Sequence, residues 1–251
     1  MIIDNITAEI IKRCRYWKEL KVSDLCIGLK YAYCVVERNK KEIGLSYVPV
    51  EDILPHESTG EIKDVLSMVK STKMLDRVIA IAYLNSVSQY MLWVERDYSC
   101  EIIEKKIFGF LEDKIGDKDN IIVIGNMVPL IERLGKKTKN IWVFERNPRM
   151  RIYGALSDCF EFRYLEESDI VIVTGTTLLN DTIDPILKYA KKAHTKVIVG
   201  PTAQLHPDVL LKYFDIVASL RVNEIEAVTK TIKLGGGRWS FSKFCSDYIA
   251  T

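Results

Sequence analysis

The feature that most limits the fold is a rhythm in the second half of the chain. Short apolar runs recur at 120–125 ("NIIVIG"), 140–145 ("NIWVFE"), 169–175 ("DIVIVTG"), 196–200 ("KVIVG") and 215–220 ("DIVASL"). Helical segments follow most of them: "MVPLIERLGKK", residues 182–193, "HPDVLLKYF" and "NEIEAVTKTIK". "CFEFR" reads as one further short strand. Strands without polar alternation are buried on both faces, so helices must cover both sides of a parallel sheet. Right-handed crossovers then give a doubly wound, Rossmann-like α/β domain.

The first half has a different order. Residues 4–19 place Ile6, Ile10, Cys14 and Trp17 at helical spacing. Three strands follow, Val22 to Leu29, Tyr31 to Glu37 and Ile43 to Val48, with "RNKKE" as the turn between the last two. A helix is expected near 60–70. A second, in "KMLDRVIAIAYLNSVSQYML", carries Ile79, Tyr83, Val87 and Tyr90 on one stripe, with Ala80, Ala82 and Ser86 offering close approach. An antiparallel meander followed by helices is an α+β arrangement. The expected division is a smaller α+β domain over 1–110 and the Rossmann-like domain over 111–251.

Composition narrows the function classes. The chain has 251 residues and a net charge of +2 from 36 basic and 34 acidic residues. That balance gives no reason to expect nucleic acid or an anionic membrane as partner. "MIIDNITAEIIKRC" does not read as a signal peptide, and no apolar run approaches the ~20 residues of a membrane span. The cytoplasm is the expected location, and a homodimer the default assembly. Cysteines at 14, 26, 34, 100, 159 and 245 form no C-x-x-C pair, so they read as small apolar side chains rather than a zinc or redox site.

In a doubly wound sheet, ligands sit beyond the carboxyl ends of the strands, at the switch in strand order. Gly125 and Asn126 stand at the first such end, and Glu145, Arg146, Asn147 and Pro148 at the second. The long central strand ends in Thr174, Gly175, Thr176 and Thr177, with Asn180 nearby. Gly200, Pro201 and Thr202 follow the next strand, and Arg221 and Asn223 the last. One cap satisfies a helix start. Three threonines exceed that need, and with N–H groups at a helix N-terminus they suit a carboxylate, phosphate or other oxyanion. Turn chemistry alone is the competing reading.

The dinucleotide fingerprint G-x-G-x-x-G is not kept: the six positions read Gly125-Asn126-Met127-Val128-Pro129-Leu130. Glu145 lies where an acid would hold ribose hydroxyls. An S-adenosylmethionine-like adenosyl cofactor therefore stands as a second reading, with ion pairing of Glu145 to Arg146, Arg149 or Arg151 as its structural rival.

"VFERNP", "SDIVIVTGTTLLNDTID", "VIVGPTAQLHPDVL" and "LGGG" together resemble a prokaryotic family labelled "putative heavy-metal chelation". "IGLSYVPV" and "IAIAYLNSV" extend the likeness to the first half. The resemblance implies an enolase N-terminal-like domain joined to a Rossmann-like one, with a ligand cleft between them. It also implies a role in handling a divalent or heavy metal, or a metal chelate. Matched motif by motif, it points to Glu145, Arg146, Asn147, Thr174 to Thr177, Asn180 and Gly200 to Thr202, and to Asn85 facing the cleft.

A closed metal site needs three or four convergent donors. The candidates are Glu145, Asp181 and the isolated His56 and His206. A chelated metal held through its own ligands suits these loops better than a bare ion. No nucleophile–base pair is legible, so catalysis stays open, and a non-catalytic carrier is the third reading. "GGGRWS" has the glycines of a phosphate loop without its G-K-[ST] ending, and reads as a connector before a last helix. The aromatics around it are expected to fold back over the cleft or onto a partner chain.

Overall fold

A computed structural model describes residues 1–54, 56–57, 62 and 64–251. Three strands, β1 (Lys21–Ile27), β2 (Tyr31–Glu37) and β3 (Lys41–Tyr47), form an antiparallel meander in chain order. Glu37 pairs with Lys41 across the tight turn. Both faces of β2 and β3 are covered, which is why their burial does not alternate. Ala32, Cys34 and Val36 face the main core, while Tyr33, Val35, Ile43 and Leu45 pack on Val228, Ile232 and Phe241.

Among the described residues this half holds the helices α1 (Ile2–Arg13), α2 (Val65–Val69) and α3 (Met74–Tyr90). Residues 60, 61 and 63 of the expected helix near 60–70 lie outside the described residues. The one-stripe expectation for α3 is too narrow. Every residue from Leu75 to Tyr90 except Asp76 is buried, so α3 is a central helix. Its two serines are satisfied within the helix: Ser86 donates to the Tyr83 carbonyl and Ser88 to the Leu84 carbonyl, both at 2.7 Å. Gly44 sets the approach of β3 to α3. A Cβ there would stand 2.1 Å from the Ser86 nitrogen and 2.2 Å from the Ala82 oxygen.

The second sheet has eight strands: β4 (Ile102–Ile103), β5 (Ile121–Ile124), β6 (Ile141–Glu145), β7 (Leu156–Ser157), β8 (Ile170–Thr174), β9 (Thr195–Val199), β10 (Ile216–Val222) and β11 (Cys245–Ala250). Their order is β4-β11-β10-β9-β8-β5-β6-β7, parallel from β10 to β7. Those six parallel strands follow the doubly wound order, with the switch between β5 and β8. The crossovers carry α5 (Val128–Leu134), α6 (Phe162–Leu165), α7 (Ile183–Tyr189) and α8 (Pro207–Leu210). Before β5 stands α4 (Ile107–Leu111), and α9 (Ile225–Lys233) and α10 (Arg238–Phe241) follow β10.

Two expectations fail. "CFEFR" is not a strand: a 3-10 turn at Asp158–Phe160 leads into α6, where Phe162 packs against Tyr189 with ring centroids 4.9 Å apart. Packing against α7 overrides the aromatic strand propensity. The closing segment ends as a strand, not a helix. After the short α10, β11 pairs antiparallel with β10, and its own free edge is covered by β4. Without β11 the long β10 would be an open edge.

One core cluster runs from Ile3, Ile6 and Ile10 of α1 through α3 to Ile122, Val171 and Leu210, so the two sheets share their interior. At the surface Arg13 pairs with Asp97 at 2.9 Å and Asp208 at 2.8 Å. All six cysteines are free. Among the described residues no helix is long and apolar enough to cross a membrane.

Candidate functional site

The free edge of β3 faces the turn after β9, and side chains take the place of a neighbouring strand. The Leu45 N–H donates to Gln204 Oε1 at 2.7 Å, and the Tyr47 N–H to Thr202 Oγ1 at 3.0 Å. Asn85, fully buried on α3, donates from Nδ2 to the Leu45 carbonyl at 2.6 Å and the Thr202 carbonyl at 3.0 Å. Gln204 Nε2 donates on to the Leu220 carbonyl at 3.0 Å. Asn85 therefore does not face the cleft as expected; it lies beneath and joins its two walls. The role of Gln204 escaped the sequence reading. Its only signal was an amide inside an otherwise apolar "TAQLHP" segment.

This seam holds the end of β3 over the switch point and encloses a cavity of about 210 Å³. Tyr31, Tyr47, Pro49, Glu51 and Asp52 form one wall. The strand-end residues Gly125, Asn126, Glu145, Arg146 and Asn147 form the floor. Thr174, Thr176, Asn180 and Gly200 to Thr202 close the far side. The loops thus bring together most of the residues read from the strand ends; Pro148, Arg221, which lies over the Trp93 ring, and Asn223, which donates to Ser246 Oγ at 2.8 Å, do not line the cavity. Gly175 and Thr177 are buried beside the lining residues rather than lining the cavity.

Local geometry explains the glycines. Gly125 has φ +98°, and a Cβ there would meet Thr174 Cγ2 at 2.8 Å. Only glycine lets the ends of β5 and β8 close this far. At Gly175 a Cβ would lie 2.6 Å from the Ala203 nitrogen, so this glycine seats the threonine turn against the Gly200–Thr202 loop.

The threonines divide their labour. Thr177 Oγ1 donates to the Thr174 carbonyl at 2.8 Å, and Thr176 Oγ1 to Thr174 Oγ1 at 3.2 Å. Asn180 Oδ1 accepts from the Thr182 N–H at 3.2 Å and its hydroxyl at 2.7 Å. Much of this polar chemistry holds the turn, while Thr174, Thr176 and Asn180 also border the cavity.

Glu145 is a staple between loops. Its Oε2 accepts the Asn126 N–H and its Oε1 the Asn147 N–H, both at 2.9 Å. Asn126 Nδ2 in turn donates to the Met150 carbonyl at 2.8 Å. Arg151, not Glu145, makes the local ion pair, with Asp158 at 3.6 Å. Arg146 reaches across the cleft to Asp52 at 3.5 Å. Among the described residues the cavity thus has three carboxylates, Glu51, Asp52 and Glu145, and one guanidinium. Burial, reinforced by Glu51 and Glu145, pushes the Tyr47 hydroxyl up, and burial does the same to Tyr31. Both stay protonated at neutral pH and available as hydroxyl donors.

The metal candidates do not converge. His206 is fully buried and its Nε2 lies 2.7 Å from the Asp97 carbonyl. Burial and the nearby Arg13 charge hold it below the usual histidine range, so it is neutral. His56 is exposed at φ +65°. Neither borders the cavity. Among the described residues no group of three or more His, Cys, Asp or Glu side chains is placed to hold a metal ion. The donor set therefore does not fit a protein cage for a bare ion.

Residues 110–251 match the family model DUF364 and residues 8–88 the model DUF4213, both described as "Putative heavy-metal chelation". An uncharacterised protein of Methanocaldococcus jannaschii is 33% identical over 261 residues, covering 99% of this chain and 97% of that protein. The crystal structure of a DUF364 protein of unknown function from Pyrococcus horikoshii superposes with a TM-score of 0.86 at 28% identity, over 100% of both chains. A DUF364 protein of unknown function from Desulfitobacterium hafniense gives 0.78 at 15% identity, over 97% of this chain and 96% of its own, and so shows the shared fold alone. The chain belongs to the DUF364 family described as "Putative heavy-metal chelation".

Proposed function

We propose that this protein binds a small metal chelate in the cleft between an N-terminal α+β domain (1–110) and the Rossmann-like domain (111–251). The protein holds the ligand's polar groups and does not supply the metal's cage. One observation carries the reading. The switch-point cavity is walled by polar loops from both halves, yet no three-donor cluster exists among the described residues. A family described by metal chelation, without a cage, is reconciled if the metal arrives with its own ligands.

The lining is compatible with that ligand. Thr174, Thr176 and Asn180 and the two tyrosines offer neutral donors and acceptors, and Arg146 offers one fork for a carboxylate arm. Glu51 and Asp52 favour a ligand with a cationic centre over a simple anion. The adenosyl reading is less well matched. Both Glu145 oxygens already accept backbone N–H groups, and about 210 Å³ is below the ~300–1,000 Å³ usual for drug-sized ligands.

The test is a thermal-shift panel on chelator-treated protein, with free Ni²⁺ or Co²⁺, their citrate complexes, citrate alone and S-adenosylmethionine. A ligand at 100 times its dissociation constant adds about 2.7 kcal/mol. Stabilisation by the complexes, weakened in Thr176→Val, is expected. Stabilisation by the free ions alone would overturn the chelate reading. A shift with S-adenosylmethionine alone would replace it by the adenosyl one.

A further inference from the structure

A larger cavity, of about 840 Å³, lies beside the cleft and plays no part in the function proposed above. We propose that it is a second binding pocket, selective for a small phosphorylated ligand carrying a planar ring. Its size falls within the ~300–1,000 Å³ range of ligand pockets. Ala218 and Leu220 of β10 and Val199 of β9 contribute apolar lining, and the segment from Arg238 to Tyr248 closes one side.

Charge gives the chemical class. Five basic side chains border this cavity, Lys105, Lys106, Arg133, Arg238 and Lys243, against the acids Glu104 and Asp247. The whole chain is nearly balanced at +2, so the excess is local. Asp247 pairs with Arg238 at 2.6 Å. Among the described residues Lys105, Lys106, Arg133 and Lys243 form no ion pair, and all four are exposed at the rim. Such a group of cations matches a multivalent oxyanion.

Arg238 supplies a more specific mark. One arm of its guanidinium holds Asp247, while Nη1 is buried and has no hydrogen-bond partner among the described residues. A buried N–H group left unpaired is costly, and a shift of this side chain toward a ligand oxygen would satisfy it. Ser219, Ser242 and Ser246 add hydroxyls to the lining.

The planar ring follows from Trp239. This indole borders the cavity and is 78% exposed, the most open of the tryptophans and nearly the most open large apolar side chain. Exposed aromatics beside basic side chains are stacking platforms for bases. The glycine run before it allows the sharp turn after α9. At Gly236 a Cβ would lie 2.5 Å from Thr231 Cγ2. The pocket is distinct from the switch point, although Gly200 and Pro201 border both.

Titration with ADP, pyrophosphate and adenosine at low ionic strength, followed by calorimetry and tryptophan fluorescence, tests the assignment. ADP should bind and quench Trp239, and pyrophosphate should bind more weakly without needing the indole. Adenosine should not bind. The rim variant Arg133→Gln/Lys243→Gln should weaken ADP at least about tenfold. Trp239→Ala should weaken ADP about tenfold and leave pyrophosphate unchanged. Both alter exposed side chains, so their folding should match the wild type by circular dichroism. Absence of ADP binding at millimolar concentration, adenosine binding as tight as ADP, or undiminished ADP binding in the rim variant would overturn the proposal. So would loss of ADP binding in the cleft variant Thr176→Val, which would return the nucleotide to the switch point.

Discussion

Replacing Asn85 tests how the cleft is held together. Its side chain bridges the carbonyls of Leu45 and Thr202, one from each half of the molecule, in a fully buried position. In Asn85→Ala both carbonyls lose a donor. A buried acceptor left unpaired costs about 1–3 kcal/mol. Asn85 Oδ1 has no partner of its own among the described residues, so its removal gives back part of that cost. A net loss of about 2–4 kcal/mol is expected, a large share of the roughly 5–15 kcal/mol that stabilises a domain. Asn85→Asp separates hydrogen bonding from packing. It keeps the volume but turns an acceptor toward two other acceptors, so at pH 8 it should destabilise at least as much as Ala. Urea unfolding with an unchanged m-value reads both variants. A loss below 1 kcal/mol in Ala, or an Asp variant as stable as wild type at pH 8, would refute this reasoning.

Glu161 gives a pH dependence. It is buried, its Oε2 has no partner among the described residues, and burial, then the neighbouring Asp158 charge, pushes its carboxyl up to about 7. A folded-state value above the unfolded one means that the associated stability is full below about 4.5 and is lost as pH rises through about 7. The span corresponds to about 3 kcal/mol, so Glu161→Gln should match wild type near pH 4.5 and exceed it at pH 8 in thermal melts. Identical pH profiles would remove Glu161 from the account. Glu42, also raised to about 7 by burial, should leave a residual slope in that variant. Gly44→Ala should fail to give soluble folded protein or lose more than about 3 kcal/mol, because its Cβ would meet the α3 backbone rather than a movable side chain. A melting temperature near that of the wild type would show that β3 and α3 can separate freely.

The Rossmann half was legible because its strands are continuous apolar runs, and that topology dictates where polar loops gather. Gly125, Glu145, Thr174 and Gly200 could be placed together from that rule alone. The opposite wall could not. Tyr31, Tyr47, Glu51 and Asp52 come from the meander, and no local pattern says which end of a meander will dock on a distant strand end. The side chains that make the docking, Asn85, Thr202 and Gln204, are long-range partners, with Gln204 and Leu45 159 residues apart. The same limit explains α3. Helical periodicity revealed one apolar stripe, but its other faces carry alanines, serines and amides that read as polar surface until a sheet and a loop cover them. β11 was hidden because "CSDYIA" is half-polar, and its strand conformation depends on the β10 edge it meets.

The most direct test of the proposed chelate binding is equilibrium dialysis of chelator-treated protein against equimolar Ni²⁺–citrate, with metal and citrate measured separately. Chelate binding predicts that both are retained in equal amounts, that Ni²⁺ alone is retained far more weakly, and that Thr176→Val reduces both together. Retention of nickel without citrate, unaffected by that substitution, would contradict it.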